Sequence, residues 1–288
     1  MKLAGRTAII TGASLGLGAA IAERFAAEGA ALMLCARNRN ELEAQRARLA
    51  AMHPDTRIVA QPADVAKKPE IDSLFAAASR EFERIDIVVN NAGVYGPMGA
   101  IEAIDWNEWV QAIAINLNGL VYCCRKAVEA LKPHGYGKII NLSGGGATNP
   151  LPGISAYAAS KAAVVRFTET LALEVKEYSI DVNAVAPGAL ATRLTDQLIA
   201  AGPERVGASL HERMSKLAKE GGTPLSIGAS LCVYLASAES DGLTGRLIAA
   251  QWDPWPFAGE IKSDIEKSDI YTLRRIVPGD RGKPWEKK

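Results

Sequence analysis

The chain has 288 residues, of which 48% are hydrophobic and 23% are charged, and its formal net charge is +1. This near-neutral balance gives no reason to expect a nucleic-acid or anionic-membrane partner. The four cysteines lack metal-ligand spacing, so no metal site is expected, and each lies in an apolar segment typical of reduced, buried thiols. Because no signal peptide follows Met1 and no apolar run reaches membrane-spanning length, we expect a cytoplasmic protein.

The first apolar run, residues 6–10, leads into a glycine-rich turn at 11–18 and then an alanine-rich segment to about Gly29. A strand, a glycine turn and a helix in this order predict a phosphate-binding element. Glycine permits close backbone approach, and the helix N-terminus presents free N–H groups to an anion. The candidate cofactor contacts in the turn are Gly12, Ser14, Leu15, Gly16, Leu17 and Gly18.

The second strand, residues 31–36, closes a βαβ unit of the length that a dinucleotide-binding fold needs. Arg37 and Asn38 follow it, where an acidic residue would bind the ribose 2′-hydroxyl of NAD. A guanidinium there can bind the 2′-phosphate of NADP, so this charge argument favours NADP(H) over NAD(H). Alternatively, Asn38 with Glu41 only caps the next helix, and Arg37 is solvated.

Small or polar residues also follow the later apolar strands. The carboxyl ends of strands in an open parallel sheet meet at one edge, where ligands bind, so these turns are expected to form one site. Asp64 could accept a hydrogen bond from an adenine amino group or cap the following helix, and Gly93 permits close approach of a cofactor. The candidate contacts are Asp64, Val65, Asn91, Ala92, Gly93, Pro187, Gly188 and Thr192.

Tyr157 and Lys161 lie four residues apart at the start of an apolar-periodic segment that runs to about Glu177. This spacing in a helix puts both side chains on one face. A phenol ionises at about pH 10, and a fixed ammonium nearby lowers that pKa. The pair could then pass a proton to or from a substrate oxygen near neutrality. Taken alone, such a pair is more often a core aromatic and a surface lysine.

A long helix is predicted from a capping box at residues 105–108 to about Leu131. Asn116 interrupts its apolar stretch, and a buried asparagine must be hydrogen-bonded, so it is either structural or functional. The segment 190–223 is less regular and is broken by glycines. It predicts a mobile helical flap over the substrate, or a pair of surface helices.

In these motifs the chain resembles a classical short-chain dehydrogenase/reductase, over about residues 3 to 250. Residues 11–18 match the family's cofactor fingerprint, and residues 90–93 match its strand-stabilising motif. Tyr157 and Lys161 match the catalytic pair, and residues 187–192 the nicotinamide-side loop.

The resemblance implies an α/β fold, a Rossmann-like doubly wound sheet of about seven parallel strands with helices on both faces. It implies a single domain over residues 1–252 that includes the flap near 190–223. The oligomer would be a tetramer or dimer built on the two long helices.

The resemblance also implies hydride transfer between NADP(H), or NAD(H), and a small-molecule secondary alcohol or ketone. Tyr157 would be the general acid/base, Lys161 would hold the nicotinamide ribose and keep the phenol acidic, and Asn116 would anchor a proton-relay water. Whether the substrate is a polar cyclic compound or a 3-oxoacyl thioester stays open.

One position departs from the family. Its serine thirteen residues before the tyrosine is Gly144 here. Either Ser143 swings in through the glycine run, or Thr148 compensates, or the serine's role is lost. The departure leaves a rival open, a catalytically weak or silent member that serves as a cofactor-dependent binding or assembly protein.

A second departure is the C-terminal extension, residues 253–288. Trp252 and Trp255 could form an apolar or sugar-stacking wall beside the substrate. Equally, the tail could pack against another subunit, because aromatic residues are enriched at interfaces.

Overall fold

The structure is a computed structural model and describes residues 1–257 and 259–285. The strands are β1 (Thr7–Thr11), β2 (Ala31–Ala36), β3 (Ile58–Pro62), β4 (Ile87–Asn90), β5 (Gly137–Leu142), β6 (Ile180–Ala186) and β7 (Leu247–Ala249). The helices are α1 (Gly16–Ala27), α2 (Arg39–Met52), α3 (Lys68–Glu81), α4 (Trp106–Ile113), α5 (Leu120–Leu131), α6 (Ser155–Glu174), α7 (Arg193–Ala201), α8 (Pro203–Val206), α9 (Ala208–Glu220), α10 (Leu225–Ala236) and α11 (Gly259–Lys267).

The strands form one parallel sheet in the order β3-β2-β1-β4-β5-β6-β7. The predicted doubly wound sheet of seven parallel strands is therefore confirmed. The strand order reverses between β1 and β4, and a crevice opens outside the carboxyl ends of the strands at such a switch point. The glycine turn, the 90–93 motif and the 187–192 loop all follow strands at this edge.

Both faces of the sheet are buried, which explains why its strands are nearly continuous apolar runs. Successive residues of a strand point to opposite faces. Ile10 therefore packs with residues of α1 and α10, whereas its neighbour Ile9 packs with residues of α3 and α5. The sheet is a rigid platform, and the turns at its carboxyl edge are fixed relative to each other.

The predicted helix from residue 106 to 131 is present, but it contains one π-helical turn, Ala114–Gly119, between α4 and α5. Asn116 lies in this turn and is fully buried. Among the described residues, no helix is long and apolar enough to cross a membrane.

The C-terminal extension packs on the chain's own sheet edge. The Leu247 amide of β7 donates to the Tyr271 carbonyl, and the Trp255 indole donates to the Ala250 carbonyl at 2.8 Å. The Trp255 ring packs beside Tyr234, whereas Trp252 is 75% exposed. The Trp255 ring is half-buried and packs against the core beneath β7, so at least part of it contacts the chain itself, and a substrate-side or subunit contact of the tail stays a prediction. Of the extension, residues 258 and 286–288 lie outside the described residues, and the division of the chain at residue 252 stays a prediction.

Candidate active site

The glycine turn, residues 11–18, has backbone angles and close backbone contacts that only glycine accommodates. Gly12 and Gly16 have φ angles of +64° and +57°, which favour glycine. At Gly18 a Cβ atom would lie 2.2 Å from the Gly12 carbonyl oxygen, so no side chain fits there. Leu15 begins α1 with an extended backbone and no side-chain cap, and the first turn holds no acidic residue. The first amides of α1 are thus left for an anion, which fits the phosphates of a dinucleotide.

Asn91 fastens the end of β4 to this turn. Its Nδ2 donates to the carbonyls of Thr11 and Gly12 at 3.0 and 3.1 Å, while its backbone amide and that of Ala92 donate to the Thr11 hydroxyl. The Asn91 side chain therefore joins the end of β4 to the glycine turn at the base of the crevice. Gly93 lies beside it, where a Cβ would come 3.7 Å from the Lys161 ammonium nitrogen.

At the end of β2, Asn38 caps α2. Its Oδ1 accepts from the amides of Asn40 and Glu41 at 3.1 and 3.2 Å, as the capping alternative predicted. Arg37 is exposed, and among the residues that the structure describes it forms no ion pair. Asn38 therefore caps α2, and the neighbouring Arg37 keeps an exposed guanidinium at the end of β2.

Asp64 lies after β3 and orders the turn before α3, but it does not cap that helix, whose N-cap is Lys67 with no side-chain cap bond. The Asp64 Oδ1 accepts from the Ala66 amide at 3.0 Å, and the Asp64 amide donates to Glu70 at 2.7 Å. Val65, beside it, is buried under Gly119 of the π turn. The structure therefore places Asp64 at the expected edge and orders its turn through the carboxylate.

The loop after β6 closes the crevice from the other side. Gly188 has a φ of +92°, and a Cβ there would lie 2.6 Å from the Thr223 hydroxyl. Pro187 packs against Gly228 of α10, and the Thr192 methyl lies 3.7 Å from the position that a Cβ on Gly16 would take. The predicted contacts from both ends of the chain thus meet at one edge of the sheet.

Tyr157 and Lys161 share one face of α6, and the Lys161 ammonium lies 5.6 Å from the centre of the Tyr157 ring. Lys161 is 4% exposed and donates to the Leu142 carbonyl at 2.7 Å. Burial lowers the pKa of Lys161 to about 8. Burial, with Tyr95 second, raises the pKa of Tyr157, so the net fall expected from the nearby Lys161 is not found in this structure. The phenol keeps its proton at neutral pH and can donate it.

Asn116 clamps the loop that follows Gly93. Its Oδ1 accepts from the Val94 amide and its Nδ2 donates to the Val94 carbonyl, both at 2.8 Å, and Nδ2 also lies 3.1 Å from the Ser160 hydroxyl. The π turn gives this side chain its place, and single π turns are frequent at functional sites. Asn116 is therefore structural here, and the proton-relay water stays a prediction.

The glycine run after β5 leaves Tyr157 without a neighbouring hydroxyl. A Cβ on Gly144 would lie 2.3 Å from the Tyr157 hydroxyl oxygen, so that oxygen fills the space of the absent side chain. Ser143 is buried and donates to the Lys161 carbonyl at 3.3 Å. Thr148 is exposed, and its hydroxyl accepts from the Asn149 side-chain Nδ2. In this structure neither hydroxyl takes the place predicted for it beside Tyr157.

Helices α7 to α9 cover Tyr157. Their side chains form an apolar cluster with the Tyr95 and Tyr157 rings, and its buried members are Ile154, Leu198, Val206 and Met214. The segment of the predicted flap thus lies over Tyr157, and its mobility and its contact with substrate stay predictions. The sequence analysis missed Tyr95, whose ring meets that of Tyr157 edge-on with centroids 4.7 Å apart. Its only signal was its place two residues after Gly93 at the same sheet edge.

The family model described as short chain dehydrogenase matches residues 6–201. The chain belongs to the short-chain dehydrogenase/reductase family. Like its relatives, it is an NAD(P)-dependent oxidoreductase that interconverts secondary alcohols and ketones among small-molecule substrates.

Two curated relatives carry names of the same kind. A 3beta-hydroxysteroid dehydrogenase of Mediterraneibacter gnavus is 31% identical over 265 residues, which cover 84% of this chain and 92% of that relative. The 3beta-hydroxysteroid dehydrogenase 1 of Eggerthella lenta is 38% identical over 248 residues, covering 85% and 92%. Among solved structures, that of levodione reductase aligns with a TM-score of 0.79 at 29% identity and covers 86% of this chain and 96% of that one.

Proposed function

We propose that this enzyme prefers NADP(H) and that Tyr157 is its general acid/base. The observation that carries the proposal is the pairing of the Tyr157 hydroxyl and the buried Lys161 ammonium on one helix face, at the sheet edge where the glycine turn lies. A proton donor, a fixed cation and a phosphate-binding turn in one crevice suit the reduction of a carbonyl group.

In the reducing direction the carbonyl carbon would take up a hydride that a nicotinamide, held by the glycine turn and Lys161, would supply. Tyr157 donates its hydroxyl proton to the substrate oxygen, so that an alcohol forms and a phenolate remains. The Lys161 ammonium stabilises that phenolate, because an opposite charge nearby favours the charged form. The reverse sequence, with Tyr157 as base, oxidises the alcohol.

The preference for NADP(H) rests on Arg37. Its guanidinium is exposed at the end of β2, the described residues offer it no carboxylate partner, and the neighbouring Asn38 is held as the cap of α2. A free guanidinium on a rigid strand end can bind a 2′-phosphate through charge-assisted hydrogen bonds. NAD(H) lacks this phosphate and would gain nothing from Arg37.

Calorimetric titration with NADPH and NADH tests this proposal. Arg37→Asp should weaken NADPH binding on the order of 10- to 100-fold and leave NADH binding within threefold. Arg80→Asp makes the same charge change on the exposed face of α3 and should leave both affinities unchanged. Equal loss in the two variants, or tighter NADH binding by the wild type, would overturn the preference for NADP(H).

The substrate that the site supports best is an apolar secondary alcohol or ketone. The apolar cluster above Tyr157 has Ile154, Leu198, Val206 and Met214 as its buried members, so an apolar substrate would find matching contacts there. Two of the relatives are named for 3beta-hydroxysteroids. Activity on 3,3,5-trimethylcyclohexanone or a 3-oxosteroid, exceeding activity on a sugar lactone or a 3-oxoacyl thioester, would support this substrate class.

The silent-member alternative draws support from Gly144 and from Ser143, whose hydroxyl is bonded to backbone. It predicts cofactor binding without turnover of any of these ketones. The proposed homo-oligomer and the cytoplasmic location stay predictions.

A further inference from the structure

We propose that the Tyr95 hydroxyl is a second hydrogen-bond donor to the substrate oxygen, beside Tyr157. The proposal rests on the proposed function and adds to it a residue that orients the substrate. It has one geometric basis: the two rings meet edge-on with centroids 4.7 Å apart, inside the apolar cluster beneath the flap.

The chemistry calls for such a donor. Negative charge develops on the substrate oxygen as hydride reaches the carbon, and preorganised donors aimed at that charge are worth most in an apolar, water-poor site. Tyr157 supplies one donor. A second cannot come from residue 144, because the Tyr157 hydroxyl oxygen lies 2.3 Å from the position of a Cβ there.

Other polar groups near Tyr157 each already donate to a backbone carbonyl. Ser143 donates to the Lys161 carbonyl, and Ser160 donates to the Tyr157 carbonyl at 2.8 Å. The Lys161 ammonium donates to the Leu142 carbonyl. Tyr95 differs from them, because within the described part of the chain its hydroxyl has no hydrogen-bond partner, although the residue is half-buried.

Tyr95 is held firmly in place. The Asn116 side chain bonds both the amide and the carbonyl of Val94, the residue before it. The residue after it, Gly96, has a φ of +76° and lies so close to α4 that a Cβ would come 2.6 Å from the Ala112 Cβ. Because the loop is fixed on both sides of Tyr95, its phenol is held in one orientation, as catalytic preorganisation requires.

Tyr95 donates a hydrogen bond and transfers no proton. Burial raises its pKa, an effect that the Arg213 guanidinium only partly offsets, so the hydroxyl stays protonated through the neutral range. The proton that ends on the alcohol still comes from Tyr157.

The test compares Tyr95→Phe with wild type by NADPH oxidation, using the fastest of cyclohexanone, 3,3,5-trimethylcyclohexanone and a 3-oxosteroid. Phenylalanine keeps the ring and its packing on Tyr157 and removes only the oxygen. We expect kcat to fall on the order of 10- to 100-fold, with KM within threefold and an unchanged thermal midpoint, because the lost bond strengthens in the transition state. Tyr178→Phe, a half-buried tyrosine with no hydrogen bond among the described residues, should change nothing.

The outcomes separate the two proposals. If Tyr157→Phe is inactive while Tyr95→Phe keeps the wild-type kcat, Tyr95 is no donor and the proposed function stands. A raised KM or a lowered thermal midpoint at unchanged kcat would assign Tyr95 a packing role and also overturn the inference. Turnover of none of the probes by the wild type would refute the proposed function, and this inference with it.

Discussion

Gly18→Ala tests whether the glycine turn is fixed by backbone contact. The new Cβ would lie 2.2 Å from the Gly12 carbonyl oxygen and 2.4 Å from the Asn91 Nδ2. The turn must open, which breaks the two hydrogen bonds from the Asn91 Nδ2 to Thr11 and Gly12 and costs about 1 kcal/mol for each. Overpacking of the new methyl group adds about 1–3 kcal/mol. Alanine returns up to ~1 kcal/mol of helix propensity. We expect a net loss of about 2–4 kcal/mol in the free energy of unfolding.

Urea denaturation of the wild type and the variant measures this loss, and NADPH titration reports on the turn itself. Gly18→Ala should also weaken NADPH binding by at least about tenfold, because the first amides of α1 move. Gly279→Ala is the matched control, since nothing lies within 4 Å of its Cβ position. Stability within 0.5 kcal/mol of wild type (about the scatter of surface substitutions) and unchanged NADPH binding in Gly18→Ala would refute the reasoning.

Two further predictions concern buried side chains. Lys161→Met should raise the free energy of unfolding by about 1–2 kcal/mol at pH 7, because the pKa near 8 implies a charge-burial cost of about 3 kcal/mol, partly offset by the lost bond to Leu142. This cost is present below pH 8 and disappears as the pH rises towards 10.5. Urea titrations at higher pH should therefore show a smaller difference in the free energy of unfolding between Lys161→Met and the wild type. A difference that grows with pH would contradict the lowered pKa of Lys161. Trp255→Ala should destabilise by about 2 kcal/mol, because its half-buried ring packs against the core, and should leave kcat unchanged. Exposed Trp252→Ala should change neither stability nor kcat; equal thermal midpoints in the two variants would show that the Trp255 ring does not pack on the core.

Features set by local sequence could be predicted. The carboxyl-edge turns were placed correctly, because apolar runs bounded by glycine and asparagine define strand ends in a parallel sheet. The cap at Asn38 was among the predicted alternatives, since a side-chain oxygen next to its own helix start acts over two or three residues. The alternative that Asp64 caps the next helix was wrong, because its carboxylate orders a turn that ends before α3.

Features set by tertiary packing could not. The π turn at Asn116 depends on the clamp to Val94, which is 22 residues away in the chain. Burial beneath the flap and the neighbouring Tyr95 raise the pKa of Tyr157, and the lysine one helical turn along does not bring it below its usual value. Trp255 could be placed only once β7 and the tail were known to pair. Sequence spacing predicts which groups share a face, but burial decides how they ionise.

The central claim is that Tyr157 moves the proton, and one measurement tests it most directly: the rate of NADPH oxidation with 3,3,5-trimethylcyclohexanone by the wild type and by Tyr157→Phe. The account predicts a fall in kcat of about 10²- to 10⁴-fold, with the affinity for NADPH within threefold of wild type. A Tyr157→Phe enzyme that reduces the ketone within threefold of the wild-type rate would contradict it.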